Sequence, residues 1–455
     1  MKFNTPTFKE THEGWRAIAL DDKIEIIKLC LTSFMDNTFY ESQASIIARL
    51  NWYIESIFMR KEPQFILKLA IFSRNYGLRS INHYLIAYWI LKNLWVGWIR
   101  DTLVKVLSKM VRRPDEFWEI LWAIKFINWG KAYFPMALKK AIKIILESGK
   151  FDEYQIAKYR NKWDLNLFDL VNLTHPKWEI FDKLMTGTLE SADTWEVWLS
   201  TGWDKKEVFE RQLRENKLWT KALLMNLRNM LQANVDKDLI FQALTTCNMK
   251  WIFPYEVLRA LWYCKEEDMP KVLMDELEKI AYKSFENLPL EWRTAVLVDT
   301  SWSMQSRFND KSTLECVDVA SFYWALVSYK WYDVYAWATT IKKVEKWSGD
   351  SLLRVIQGIR NLNVWCGTDL RKAINEVTDY DNVIVFSDMQ TSSYVSNTWK
   401  IKNLYLINLA PYEHSIATKW NMIEIAWFSD LCFKLAWDLK NPNNIIKEID
   451  SIIII

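Results

Sequence analysis

The sequence lacks a strong net charge of either sign. Its 59 Lys and Arg residues nearly balance its 56 Asp and Glu residues, which leaves a formal net charge of +3. No overall electrostatic field therefore commits the chain to nucleic acid, so any basic binding site must be local. With 455 residues, the chain is long enough for two or three domains, each with its own hydrophobic core.

Paired cysteines, a secretory signal and a membrane-spanning run are also missing. The six cysteines follow neither a CxxC nor a zinc-finger spacing, which favours free thiols in a reducing compartment. The opening MKFNTPTFKETHEGW is too polar for a secretory signal. The most apolar run, residues 84–99, contains Lys92 and Asn93, which favours a buried helix over a membrane span. We therefore expect a cytoplasmic protein without a membrane partner.

Glycine is scarce, whereas tryptophan is abundant. The chain has 10 glycines and 27 tryptophans, although a glycine usage of about 7% would give roughly 32 glycines in a chain of this length. A tryptophan-rich protein is the ordinary interpretation. The contexts favour another hypothesis, in which the genome reads UGA as glycine and a majority of these tryptophans are glycines in the cell. Tryptophans in turn-like contexts, where glycine is usual, are Trp203, Trp331, Trp347, Trp365 and Trp437.

From about residue 36 to residue 287, the sequence predicts one amphipathic helix after another. Apolar residues recur at i, i+3, i+4 and i+7 in segments such as PQFILKLAIFSRN and PMALKKAIKIILES. Pro63, Pro114 and Pro135 stand near helix starts, where a missing N–H costs least. The succession favours a stacked helical solenoid, with an ordinary all-α bundle as the alternative, since no strict repeat period is present.

The pattern changes near Leu288. The runs TAVLVDT, YDVYAWATT, NVIVFSD and NLYLINLA are short and rich in β-branched and aromatic residues, and helical stretches separate them. Strands that alternate with helices predict an α/β, doubly wound parallel sheet with helices on both faces. We therefore predict one domain over residues 1–287 and a second over residues 288–455. The tail IIKEIDSIIII predicts a last helix with a packed apolar end.

Three of the predicted strand ends carry oxygen-bearing side chains. In such a sheet, ligands collect at the carboxyl ends of the strands. Hydroxyl and carboxylate oxygens suit Mg²⁺, and no His or Cys is well placed nearby, which argues against zinc. The residues are, in chain order, Asp299, Ser301, Ser303, Thr368, Asp369 and Asp388.

This DxSxS pattern, followed by Thr and Asp elements in the same order, resembles the von Willebrand factor A domain and its metal-ion-dependent adhesion site. The resemblance implies direct oxygen ligands from Ser301, Ser303 and Thr368. Asp299 and Asp388 would bond the Mg²⁺, or another divalent cation, through water or complete its coordination shell. The alternative is a set of turn and cap residues in a nucleotide-binding sheet, and no nucleophile and base are paired for catalysis.

Trp302 departs from the adhesion-site pattern, which has glycine at this position. A tryptophan between the two serines is expected to press on the loop that must bring both hydroxyls to one ion. If the residue is glycine in the cell, the stretch becomes DTSGSM and the misfit disappears.

A basic cluster lies in the helical half, in YQIAKYRNKWDLNLFDLVNLTHPK. Lys158, Arg160 and Lys162 are closely spaced cations that can meet successive phosphates. His175, one of four histidines, follows an amphipathic helix. Taken alone, these residues are typical of a solvated face and a helix end.

The segment KYR, followed by DLVNLTHPK, is similar to the signature of the TROVE family, which contains the Ro 60 kDa autoantigen and its bacterial relatives. The same family pattern is found in FILKLAIFSRNYGLRSINHYLIA and in RENKLWTKALLMNLRNM, where Trp219 stands at an expected glycine. The family has an α-helical ring of HEAT-like repeats closed by a von Willebrand factor A domain. The resemblance therefore covers nearly the whole chain.

The resemblance implies an RNA-binding protein without catalysis of its own. Family members bind small noncoding Y RNAs on a basic outer surface and take the single-stranded 3′ ends of misfolded RNAs through the central hole. In bacteria they can work with a 3′ exoribonuclease in RNA quality control. The residues that match Y RNA contacts are Lys158, Lys162 and His175, with Arg160 as a neighbour, in a monomeric ring.

Two other functions stay open at this point. One is a metal-dependent protein-interaction scaffold whose ligand is an acidic side chain of a protein. The other is a nuclease that uses a metal at Asp299 and Asp388, although one hydroxyl-rich site is a poor match to the paired metals of phosphodiester chemistry. Further cations either line the ring or form ordinary charged surface: Arg112, Arg113, Lys139 and Lys140.

Overall fold

Helices occupy the first two thirds of the chain, and a mostly parallel sheet lies in the last third. The structure is a computed structural model. It describes residues 8–10, 15–18, 21–32, 41–94, 99–160, 166–250, 252–264, 269–286, 293–307, 313–329, 333–344, 351–362, 367–391, 393, 395, 398–410, 421–426, 435, 438–439 and 441–454.

The chain divides into two compact units, and neither is continuous in sequence. One, the helical unit, is made of Asn51–Asp204 and Asn443–Ile455. The other, the sheet unit, is made of Met1–Leu50 and Lys205–Pro442. The change from helix to strand occurs between Phe285 and Thr294. These two units are not the two domains predicted from the sequence. The predicted domain boundary between residues 287 and 288 therefore stays a prediction.

The helical unit stacks its helices in two alternating layers. Helices α3, α5, α7 and α9 contact one another in succession, and α4 contacts α6. This pattern of next-but-one contacts is typical of a helical solenoid, as the sequence predicts. The helices are α2 (Gln43–Met59, which begins in the sheet unit), α3 (Pro63–Asn75), α4 (Ser80–Lys92), α5 (Ile99–Met110), α6 (Glu116–Ile127), α7 (Met136–Glu147), α8 (Glu153–Tyr159), α9 (Leu167–Thr174), α10 (Glu179–Thr186), α11 (Trp195–Ser200) and α20 (Pro442–Asp450).

Helix α4 forms part of the core of the helical unit. Every residue from Ile81 to Ile90 is buried, so this helix is surrounded by protein on all sides. The prediction of a buried helix in this apolar run is confirmed for residues 84–90. Among the described helices, none is both long and apolar enough to cross a lipid bilayer.

The C-terminal tail packs on the helical unit as predicted. Ile445 and Ile449 of α20 are buried, and so is Ile454 beyond the helix. The ammonium groups of Lys68 and Lys109 donate hydrogen bonds to backbone carbonyls of this segment. These contacts fix the end of the chain on α3 and α5.

The sheet unit contains six strands in the order β5-β4-β3-β6-β7-β8. All neighbouring strands are parallel except the β4–β5 pair. All side chains of β3 and β6 are buried, which is typical of a parallel sheet covered on both faces. The strands are β3 (Thr294–Asp299), β4 (Asp333–Trp337), β5 (Ile341–Lys343), β6 (Asn382–Ser387), β7 (Asn403–Asn408) and β8 (Met422–Ala426), and a separate hairpin contains β1 (Phe8–Glu10) and β2 (Arg16–Ile18).

The predicted doubly wound α/β arrangement is therefore confirmed, with two strands, β5 and β8, that the sequence pattern does not predict. Helices α12 to α16 of this unit again make next-but-one contacts. The helices of the unit are α1 (Asp22–Thr32), α12 (Lys205–Arg214), α13 (Thr220–Gln232), α14 (Lys237–Thr245), α15 (Pro254–Cys264), α16 (Lys271–Phe285), α17 (Cys316–Tyr329), α18 (Leu352–Arg360) and α19 (Leu370–Glu376), with a short 3₁₀ helix at Trp302–Gln305.

The cysteines that the structure describes are free thiols. They are Cys30, Cys247, Cys264 and Cys316, in agreement with the expected absence of disulfide spacing. Burial raises the pKa of the Cys316 thiol to about 12, so this thiol stays protonated at neutral pH.

Candidate functional site

Two carboxylates meet at the carboxyl edge of the sheet. Asp299 ends β3, and Asp388 directly follows β6. These strands are adjacent and parallel, with Val298 paired to Phe386. The register therefore brings both side chains to the same edge, where both are completely buried.

The loop after β3 is held by the Asp299 carboxylate. Its Oδ1 accepts a hydrogen bond of 2.8 Å from the Ser301 backbone N–H, and its Oδ2 accepts one of 2.6 Å from the Ser387 hydroxyl. This turn places the hydroxyl oxygens of Ser301 and Ser303 3.2 Å apart. The DxSxS segment thus presents two hydroxyls beside a fixed carboxylate.

A third segment reaches the same edge through the turn after β6. The Gln390 N–H donates to Asp388 Oδ1 over 3.3 Å, and the Thr391 hydroxyl donates to the Thr368 carbonyl over 3.4 Å. Asp369 caps α19, because its carboxylate accepts a hydrogen bond from the Lys372 N–H. The structure therefore brings the three predicted segments together, with Asp369 as a helix cap.

Two acidic side chains are buried together at this end of the strands. Burial and the neighbouring charge of Asp388 raise the pKa of Asp299, although hydrogen bonds from Ser301 and Ser387 act in the opposite direction. Two like charges buried side by side destabilise each other unless a proton or a cation neutralises one of them. Among the described residues, no three or more His, Cys, Asp or Glu side chains form a metal-binding group. The site at the ends of β3 and β6 is of a different kind, because it combines two carboxylates with hydroxyl groups. Its hard oxygen ligands would suit Mg²⁺.

Trp302 does not distort this loop, contrary to the expectation from its size. It begins the 3₁₀ helix, and 76% of the residue is exposed. The indole is directed towards solvent, so the two serine hydroxyls approach each other without meeting it. The expected steric misfit is not found, since Trp302 is exposed while the two serine hydroxyls lie 3.2 Å apart.

Lys158 lies in the last turn of α8, at the surface of the helical unit. Its ammonium nitrogen is 3.3 Å from Glu196 Oε2 and 5.7 Å from the centre of the Tyr159 ring. The other face of this segment is held by Arg113, whose guanidinium carbon lies 4.5 Å from the same ring centre. Lys158 is thus a largely buried cation, with 21% of its side chain exposed and Glu196 as its acidic partner among the described residues.

Arg160 has mainly structural contacts. Its guanidinium donates 3.0 Å and 2.8 Å hydrogen bonds to the Leu189 carbonyl and the Ser191 hydroxyl. Its own carbonyl accepts a hydrogen bond of 2.9 Å from Leu167, the first residue of α9. A role of Arg160 in RNA binding stays a prediction. Its side chain also has a structural role, because it holds the segment that contains Leu189 and Ser191. Lys162 lies outside the described residues.

His175 ends α9 and is exposed. It adopts the left-handed conformation with φ of 46°, and its backbone N–H donates to the Val171 carbonyl. At the other end of α9, Asn166 and Asp169 form a reciprocal capping box. An eight-residue helix rises about 12 Å, so His175 and Arg160 lie at opposite ends of α9 rather than side by side.

Behind this surface lies a buried ionic network on α3, α4 and α6, which the sequence pattern does not predict. Arg74 Nη2 is 2.5 Å from Glu116 Oε1, and His83 Nδ1 is 2.7 Å from Glu119 Oε2. Burial opposes the ionisation of Glu116, but the contacts with His83 and Arg74 outweigh it and lower the pKa of Glu116. The neighbouring residues Arg79 and Arg113 both bond Asp115.

The only sequence signal for this network is the charge of residues in otherwise apolar helices. Arg74 and Glu116 are 42 positions apart, and their contact depends on the packing of α3 and α4 against α6. Because Arg113 also stacks on Tyr159, the network supports the end of α8 that carries Lys158.

Comparison with solved structures shows proteins of similar fold, one of which is described here. No protein-family profile matches the sequence, and no curated protein matches it. The crystal structure of the Deinococcus radiodurans RO (RSR) protein is similar to this chain with a TM-score of 0.65 and 15% sequence identity. The similarity covers 93% of this chain and 100% of that protein. At 15% identity this similarity is one of fold, and the resemblance to Ro-type proteins expected from the sequence is confirmed at that level.

Proposed function

We propose that this chain is an RNA-binding protein that acts as a Ro-like scaffold and has no catalytic activity of its own. The observation that supports the proposal most strongly is the fold shared with the Ro (RSR) protein over 93% of the chain. The helical unit adds a local reason, since Lys158 and His175 stand at the surface of the segment that carries the TROVE-like motif. Cations placed in this way can meet successive phosphates of an RNA backbone.

The finer proposal concerns the RNA. A small structured noncoding RNA of the Y type would contact Lys158, Lys162 and His175. Lys158 and His175 lie near opposite ends of α9, which suits a folded RNA rather than one phosphate. Structured RNA is recognised mainly by shape and by backbone contacts. Misfolded RNAs would enter through their single-stranded 3′ ends, and a 3′ exoribonuclease in the same cytoplasm would degrade them. The chain would act as a monomer.

The test is binding of the purified full chain to a small hairpin RNA in low salt. We expect Lys158→Ala combined with Lys162→Ala and His175→Ala to weaken binding strongly, because two phosphate contacts and one further surface contact are lost. The matched control removes two exposed lysines of the sheet unit, Lys206→Ala and Lys279→Ala. An equal loss in both variants, or no binding by the unmodified chain, would reject the proposal.

The strand-edge site supports a second candidate, a metal-dependent protein contact. We propose that Mg²⁺, or another divalent cation, is held by Ser301, Ser303 and Thr368, with Asp299 and Asp388 completing the site. The observation behind this candidate is the buried carboxylate pair beside two hydroxyls. A bound cation would offer its remaining position to an acidic side chain of a partner. In that case Asp299→Ala would abolish capture of the partner while RNA binding stayed intact.

We also propose that a majority of the 27 tryptophans are glycines in the cell, encoded by UGA. Trp129 supports this proposal, because its φ is 56° and 93% of the residue is exposed. Glycine adopts this backbone conformation without the steric cost that a side chain brings. Trp203, Trp219 and Trp302 are also exposed, whereas Trp331, Trp347, Trp365 and Trp437 lie outside the described residues.

The codons and the mass of the native protein test this proposal together. The proposal predicts UGA at Trp129, Trp219 and Trp302, and peptides from native cells with the mass of glycine at these positions. UGG codons at all three positions would contradict it.

A further inference from the structure

We propose that the helical unit has a second RNA-contacting surface, on which aromatic side chains stack the bases of single-stranded RNA. It consists of the exposed side chains of residues 122–140 and is called the aromatic–lysine surface below. The inference rests on the proposed RNA-binding function, but it uses none of the residues assigned to the structured RNA.

The local charge of this surface is strongly one-sided. Residues 122–140 contain four lysines and no Asp or Glu, although the whole chain is nearly neutral. The nearest acidic residues in the sequence are Glu119 before this stretch and Glu147 after it. A surface of this kind favours an anionic partner.

Aromatic rings on this surface stand in solvent. Phe126 is 58% exposed and Tyr133 is 45% exposed. Trp122 is also exposed and lies one helical turn before Phe126, so both rings are on the same face of α6. Large exposed rings that occur together mark a binding surface more often than single ones do.

Cations and rings alternate along the surface. The Lys125 ammonium nitrogen lies 4.8 Å from the centre of the Trp122 ring, and that of Lys139 lies 5.2 Å from the centre of the Phe134 ring. Single-stranded nucleic acids are bound by this combination, since bases stack on rings while phosphates meet the neighbouring cations.

The connection between α6 and α7 is ordered by its own hydrogen bonds. The Gly130 N–H donates to the Lys125 carbonyl over 2.8 Å, and the Lys131 N–H donates to the Asn128 carbonyl over 3.1 Å. The backbone between the two helices is therefore ordered before a ligand arrives, which lowers the entropic cost of binding. The buried residues Ile120 and Ile124 commit the opposite side of α6 to the core.

An anionic membrane is the other partner that lysines and aromatic rings could suit. Membrane-surface helices present a continuous apolar face along their length, however. Here the exposed rings are interrupted by Lys125 and by the turn at Trp129 and Gly130, which favours separate stacking sites. The proposal depends on Phe126 and Tyr133, so it holds even if Trp122 and Trp129 are glycines in the cell.

The test uses the full chain, a fluorescein-labelled twelve-nucleotide oligouridylate and an abasic strand with the same phosphates. We expect the unmodified chain to bind oligouridylate more tightly than the abasic strand. The double variant Phe126→Leu with Tyr133→Leu keeps apolar side chains without rings. It should bind oligouridylate about 5-fold or more weakly, with the same salt dependence, and lose the preference over the abasic strand. The hairpin RNA should be bound as before.

Controls make each outcome decisive. Met185→Ala removes an exposed apolar side chain elsewhere on the helical unit and should bind oligouridylate normally, and unchanged thermal midpoints should show that the variants fold. Binding of hairpin RNA with unchanged oligouridylate affinity in the double variant overturns this inference alone. Failure of the unmodified chain to bind either RNA overturns the proposed function as well. Binding to phosphatidylserine vesicles that depends on Phe126 and Tyr133, without any effect on oligouridylate, assigns the surface to a membrane instead.

Discussion

Buried carboxylates occur in both units, but their neighbours differ. In the helical unit, Glu116 lies against Arg74 and His83, so the protein supplies the opposing charge. In the sheet unit, Asp299 accepts hydrogen bonds from a backbone N–H and from Ser387, while Asp388 acts on it as a like charge. Glu116 thus has the opposite charge of Arg74 beside it, whereas Asp299 has the like charge of Asp388 beside it, where the proposed cation would bind.

With the proposed cation, this would be a difference between structural charges and a ligand site. A charge network with internal partners stabilises one packing of helices, and removal of one partner leaves another charge buried without compensation. A like-charge pair beside hydroxyls at a sheet edge costs free energy until an ion binds. We therefore expect the two sets of carboxylates to differ in stability measurements. Neutralising Glu116 should destabilise the fold, whereas neutralising Asp388 should mainly remove the stabilisation by Mg²⁺.

The largest effect is expected in the helical unit. Glu116→Gln removes the charge that Arg74 faces, and we expect a loss of about 3–5 kcal/mol in the free energy of unfolding. Urea denaturation measures this loss. The matched control, Glu179→Gln, changes an exposed glutamate of α10 and should alter stability by less than about 0.5 kcal/mol. Similar values for the two variants would show that the network is dispensable.

The next effect concerns the sheet edge. Mg²⁺ at about 100 times its dissociation constant should stabilise the unmodified chain by about 2.7 kcal/mol, and Asp388→Asn should lose most of this gain. Thermal unfolding with Mg²⁺ and with a chelator measures it. Asp381→Asn is the control, because this exposed residue precedes β6 at the opposite edge of the sheet. No Mg²⁺ effect on the unmodified chain, or an equal loss in both variants, would contradict the cation site.

The pH dependence sharpens the comparison further. The folded protein lowers the pKa of Glu116, so ionised Glu116 stabilises the fold above its unfolded pKa of about 4.3. This contribution is lost as the pH falls through the lower pKa of the folded state. The stability difference between the unmodified chain and Glu116→Gln should therefore shrink below about pH 4. A difference that stays constant between pH 7 and pH 3 in urea titrations would refute this role.

A smaller effect is expected at the exposed cluster. Glu196 lies 3.3 Å from the Lys158 ammonium group, and an RNA phosphate would have to compete with it. Glu196→Gln should therefore strengthen RNA binding by up to about 1 kcal/mol, the range of an exposed ion pair. Fluorescence polarisation with the hairpin RNA measures the change, and Glu179→Gln is again the control. Weaker binding after this substitution would place Lys158 away from the phosphates.

The sheet site was the more predictable of the two regions. Short β-branched runs indicate β3 and β6, and the rule that ligands gather at carboxyl ends of parallel strands is enough to place Asp299 near Asp388. The edge strands β5 and β8 were missed because each is short and lacks a distinct alternation. The outward direction of Trp302 depends on the turn after β3, and residue size alone does not give it.

The helical region was predictable as a succession of helices but not in its interior contacts. Helical periodicity gives the buried face of each helix, yet Arg74 and Glu116 meet only because α3 and α4 pack against α6. Likewise, the sequence motif identifies Arg160 as a cation. It does not reveal that the Arg160 guanidinium bonds Leu189 and Ser191. The contacts of exposed and buried charges depend on helix packing, which one sequence does not specify.

The salt dependence of RNA binding tests the central claim most directly. The logarithm of the association constant for the hairpin RNA should fall linearly with the logarithm of salt concentration, and Lys158→Ala with Lys162→Ala should reduce that slope by about 1.8, at about 0.9 for each lost phosphate contact. The control pair Lys206→Ala and Lys279→Ala should leave the slope unchanged. An unchanged slope in the first variant, or an equal reduction in both, would contradict RNA binding at this surface.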